Sequence, residues 1–125
     1  MRKSLYEIIV IFIALILIDS IYLYFIKDYF TNQINIVQGT QQIHFKTVGA
    51  ILCYIFICLG LYYFIIRTKR SVQEAFLLGI FVYGVYELTN YSLFNKWKIK
   101  TVVTDTTWGG ILFALVTSII YKINY

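Results

Sequence analysis

Residues 5–26 read LYEIIVIFIALILIDSIYLYFI. Apart from Glu7, Asp19 and Ser20, the run is apolar or aromatic. At ~1.5 Å per residue it reaches across the ~30 Å hydrocarbon core of a bilayer. Arg2 and Lys3 before it resemble a signal-peptide n-region. The apolar run is too long for an h-region, and no small-x-small cleavage site follows, so a retained transmembrane helix is expected. A carboxylate at the bilayer centre costs about 2.5–3.5 kcal/mol on insertion scales. Asp19 therefore calls for a partner, a water-filled cavity or a proton.

Three further apolar stretches follow, over about Thr47 to Ile66, Val72 to Ser92 and Val102 to Tyr121. Each is close to the ~20 residues that a span needs. Two of them carry an acid inside, Glu87 and Asp105. Only 14% of the 125 residues are charged, against about 25% in soluble domains. With 60% hydrophobic residues and a mean hydropathy of +0.75, the expected class is a multi-pass, all-α membrane protein. One domain, residues 1–125, is the natural division. Its fold is a four-helix transmembrane bundle, and its first partner is the lipid bilayer.

Between the first two spans, Phe30, Ile34 and Val37 recur at i, i+4 and i+7. That pattern predicts a short amphipathic helix lying in the headgroup region, separate from the first span. Gln38 to Gln42 is turn-like around Gly39, and His44 reads as an exposed loop residue. Ser71-Val72-Gln73-Glu74 matches a capping box at the start of the third helix. Glu7 suits the positive end of the first helix.

The net charge of +5 lies in short segments at the membrane edge. No soluble basic module exists, which argues against nucleic acid as a partner. Arg2, Lys3, Arg67, Lys69, Arg70 and Lys122 fall on one side; Lys27, Lys46, Lys96, Lys98 and Lys100 fall on the other. This near balance leaves orientation open under the positive-inside rule. Cys53 and Cys58, five apart on one helix, point about 140° apart and cannot pair within it. No Cys/His cluster has zinc spacing, so no metal or cofactor is expected.

Connectivity sets the depth of the acids. Asp19 lies about 10 Å inside the end of its span, Glu87 about 7 Å and Asp105 about 5 Å, all measured from the side away from the termini. The three therefore share one leaflet. Gly79, Tyr83, Glu87 and Asn90 form one helix face, flanked by Tyr86 and Thr89. Thr101, Asp105, Trp108 and Gly109 form another, and Asp19 shares a face with Tyr22. Meeting faces would enclose an acidic pocket lined by hydroxyls and amides. Asp19, Tyr22, Tyr86, Glu87, Thr89, Asn90, Asp105 and Trp108 are its candidate proton- or ligand-binding residues. At least one of Glu87 and Asp19 is expected to hold a proton at neutral pH. The fourth helix also carries small residues, Gly109, Gly110, Ala114 and Ser118, which permit close backbone approach. An intramolecular contact is the expected use, and a dimer seam is the alternative.

Tyr86-Glu87-Leu88-Thr89-Asn90, then Trp97, then Asp105-Thr106-Thr107-Trp108-Gly109 resembles the small membrane proteins of domain-of-unknown-function family 2177. That family reads Tyr-Asp-Leu-Thr-Asn, a short loop with Trp, and Val-Asp-x-x-Trp-Gly. An Asp near the end of its first helix, followed by an aromatic, matches Asp19 and Tyr22. Glu87 is one methylene longer than the family's usual Asp, and Lys98 stands where Pro often follows the Trp. The resemblance implies a shared four-helix fold and marks the acids as its signature. It implies no activity.

Three functions fit these features. In the first, the acid cluster binds protons, a small cation or a small polar ligand, for binding or transport; an ion path would require a homo-oligomer. The second is a structural or accessory subunit locked by polar contacts. The third, a lipid-modifying enzyme using two carboxylates, has least support, because no nucleophile–His pair, metal set or phosphate loop accompanies them. No catalytic residue is assigned.

Overall fold

The computed structural model describes residues 2–38 and 46–124, all but a few of them helical and none in a strand. Four helices form the bundle: α1 (Arg2–Gln38), α2 (Thr47–Leu61), α3 (Val72–Leu93) and α4 (Ile99–Asn124). α1, α2 with its π-helical extension, and α4 are each long and apolar enough to cross a membrane. α3 has the length, but Glu87, Asn90 and its tyrosines lower its apolarity. It lies along α4 over most of its course, so it crosses wherever α4 does. His44 and the turn around Gly39 lie outside the described residues.

The separate interfacial helix is corrected. Residues 27–38 continue α1 without a break. The inward stripe runs on through Tyr22, Ile26, Phe30, Gln33, Ile34 and Val37. The amphipathic period was real, but it belonged to the first helix. Lys27, Asp28 and Asn32 mark where the chain leaves the hydrocarbon; none breaks a helix as proline would. At ~1.5 Å per residue, α1 is about 55 Å long, so one end projects well beyond a ~30 Å core.

α2 ends in a π-helical turn, Tyr62–Ile66, where the Arg67 amide donates to the Tyr62 carbonyl at 2.8 Å. The wider turn brings consecutive Ile65 and Ile66 inward. Lys69 then takes φ +54° to reverse the chain. The Tyr121 hydroxyl of α4 donates to the Ile65 and Arg70 carbonyls and satisfies this helix end. Ser71 and Glu74 form the expected capping box, and Arg70 pairs with Glu74 at 3.3 Å.

The bundle has two unlike halves. Near the termini, Ile11, Leu15, Leu61, Ile65, Ile66, Leu112, Phe113, Val116 and Ile120 make an apolar core. Glu7, in the second turn of α1 instead of the first, is buried there and accepts from the Asn124 side chain at 3.2 Å. The other half holds the buried polar groups Asp19, Gln33, Glu87, Thr101 and Asp105. Between the halves α3 and α4 meet closely, backbone against backbone, at Gly79 and Gly109.

The small residues of α4 therefore divide. Gly109 and Gly110 are buried against Tyr83, Ile80 and Phe76 of α3. Ala114 is half-buried, while Ser118 is exposed and its hydroxyl donates to the Ala114 carbonyl at 2.8 Å. The close approach is intramolecular at its glycine end.

Candidate functional site

Asp19 on α1 is buried and accepts two hydrogen bonds. The Trp108 indole N–H of α4 donates to Oδ1 at 2.8 Å, and the Tyr54 hydroxyl of α2 donates to Oδ2. One carboxylate thus joins three helices. Tyr22, one turn on, stacks on Trp108 with ring centroids 4.4 Å apart and an interplanar angle of 3°. Its hydroxyl donates to Asp105 Oδ1 across a long 3.5 Å.

Asp105 in turn lies close to the Glu87 carboxyl of α3. Glu87 is fully buried. Its Oε1 accepts from the Trp97 indole N–H at 3.0 Å, while Oε2 has no donor at all. The chain of contacts Tyr54–Asp19–Trp108–Tyr22–Asp105–Glu87–Trp97 draws on every helix and the α3–α4 loop. Asp19, Glu87 and Asp105 lie in the same half of the bundle, although α1 runs past Ile26.

Three candidates stay outside this chain. Thr89 is exposed and its hydroxyl donates to the Val85 carbonyl of its own helix at 2.6 Å. Asn90 is half-buried; its backbone carbonyl accepts from the Phe94 amide at 2.8 Å and closes α3. Tyr86 is exposed and lines a cleft beside Asp105. The lysines at this end do not reach the acids: Lys27 lies 4.9 Å over the Tyr24 ring and Lys100 5.6 Å over Tyr29. Among the described residues, no three His, Cys, Asp or Glu side chains converge as metal ligands.

Four participants escape the sequence reading. Tyr54 is one hydroxyl among many tyrosines on a helix with no acid. Trp97 looks like an interfacial aromatic, yet its burial beside Glu87 makes it the donor to that acid. Gln33 and Tyr29 sit on the part of α1 assigned to the headgroups. Gln33 Oε1 accepts from the Lys98 amide at 3.0 Å and the Thr101 hydroxyl at 2.8 Å, and Nε2 donates to the Lys96 carbonyl at 3.0 Å. Tyr29 and Thr101 share a hydrogen bond of 2.8 Å. This clamp holds the loop that carries Trp97 over Glu87. A tyrosine or glutamine opposite a short polar loop is the only local signal, and it is weak.

Asp19→Asn keeps one acceptor and can satisfy Trp108, but sets an amide N–H in place of the oxygen that accepts from Tyr54. It is expected to cost about 1 kcal/mol, with a shift in Trp108 emission. An unchanged melt and spectrum would remove Asp19 from the network.

A family model described as a predicted membrane protein, DUF2177, matches residues 4–122. No curated protein and no solved structure matches the chain.

Proposed function

Because the chain belongs to the DUF2177 family of predicted membrane proteins, we propose a role from its buried acids: an intramembrane proton-binding module. The supporting observation is the fully buried Glu87 Oε2, which has no hydrogen-bond partner, in a carboxyl close to that of Asp105. Two ionised carboxylates cannot bond to each other. A proton between them turns that contact into a hydrogen bond and removes one buried charge. The proton is therefore assigned to the Glu87–Asp105 pair. Asp19, with a donor on each oxygen, serves as the lock among α1, α2 and α4. Saturated Asp19 is also what favours the second reading, an accessory subunit in which the whole network is structural.

A thermal melt against pH separates the two. A native state that holds a proton lost on unfolding gains stability as pH falls through the range in which the pair titrates. The detergent-purified protein should show this slope, and Glu87→Gln should flatten it. Liposome flux that depends on pH and is lost in Glu87→Gln would extend binding to transport. Flat, parallel melts would leave the accessory reading in its place.

A further inference from the structure

α2 packs on α1 and α3 packs on α4, while α2 and α3 stand apart. A cleft of about 690 Å³ separates them, within the ~300–1,000 Å³ of small-molecule sites. Leu52, Phe56 and Ile57 form one wall, Val82 and Tyr86 the other, and the buried Asp105 also borders the cleft. The walls belong to membrane-spanning segments, so the cleft opens sideways to lipid.

Charge defines what fits. Arg70 and Glu74 form an ion pair at the surface. Asp19, Glu87 and Asp105 have no cationic partner among the described residues, and a pair sharing one proton still carries a negative charge. Besides the Glu87 carboxyl, Asp105 meets only the long 3.5 Å bond from Tyr22, so it retains acceptor capacity. In low dielectric, neutralising that charge outweighs a neutral hydrogen bond. A carboxylate or phosphate would be repelled. A second copy of the chain has no lysine or arginine in mid-span to offer.

We propose that the α2–α3 cleft is a lateral binding site for a lipophilic amine, its apolar body between Phe56 and Val82 and its ammonium group on Asp105. The inference rests on the acid pair of the preceding reading for its negative charge.

Cys53 also lines this cleft and is exposed, whereas Cys58 is buried with its thiol donating to the Ile8 carbonyl. Labelling of Cys53 by a lipophilic maleimide in zwitterionic nanodiscs, read by mass spectrometry, reports occupancy, with Cys58 as the unreactive control. Dodecylamine is expected to slow Cys53 labelling at least tenfold, and dodecanol at the same mole fraction less than twofold. Asp105→Asn should lose the amine effect; the comparison of amine with alcohol in the unaltered protein stands whether or not that variant folds. Equal protection by both would overturn the amine in favour of a hydroxylated lipid, and no protection by either would overturn the site. A pH-dependent melt without amine protection would defeat this inference alone. Amine protection with flat melts would defeat the shared proton alone.

Discussion

Gly79→Ala is expected to destabilise the protein by about 1–3 kcal/mol, although alanine is the better helix former by about 1 kcal/mol. A Cβ at Gly79 would sit 2.2 Å from the Gly109 carbonyl oxygen and 2.9 Å from the Gly110 Cα. These are backbone atoms of α4, so no side-chain rotation relieves the clash. The helices must separate at their crossing, and Tyr83, packed on Gly109, and Phe113, edge-on to Tyr83 at 6.2 Å, would lose contact with them. Gly60 is the internal control, because a Cβ there meets nothing within 4 Å. Gly60→Ala should be neutral or stabilising by up to about 1 kcal/mol. Denaturation in detergent, followed by helical circular dichroism, measures both. Equal stability of the two variants would mean that α3 and α4 do not cross at Gly79.

Gln33→Leu is expected to cost about 3 kcal/mol. It leaves the Lys98 amide, the Thr101 hydroxyl and the Lys96 carbonyl short of a partner, and a buried group so stranded costs about 1–3 kcal/mol. Thr101 keeps Tyr29, and the loop groups regain some water, which holds the sum near the low end. Gln33→Glu retains both acceptor contacts and loses only the donor to Lys96, so it should fall between. Loosening the loop should also free Trp97 from Glu87 and move its emission to the red. If α1 ended near Ile26, Gln33 would lie among headgroups and Gln33→Leu would change neither stability nor emission. The variant therefore tests the long α1 as well as the clamp.

Particular residues show where sequence reasoning worked. The capping box was readable because Ser71 and Glu74 are three residues apart and their bonds are local. That the acids could meet was readable because short connections bring the same ends of successive helices together. The break in α1 was misread because polarity at Lys27 and Asp28 reports the membrane boundary, and the backbone hydrogen bonds of a helix do not stop there. Thr89 lies outside the chain of contacts for a related reason. A hydroxyl flanking an acid face can turn back to its own carbonyl, as Thr89 does to Val85.

By itself, the sequence determined the class, the number of helices and the membrane setting. Those follow from hydropathy and length, which act residue by residue. It also showed that three acids within apolar helices would need compensation. Only the tertiary structure decided how they obtain it: Trp108 and Tyr54 on Asp19, Trp97 on Glu87, and no protein donor for Glu87 Oε2. Hydrogen-bond partners depend on helix rotation and on distances of a few tenths of an ångström between residues as far apart as Asp19 and Trp108. The period of one helix carries no record of which face its neighbour will present.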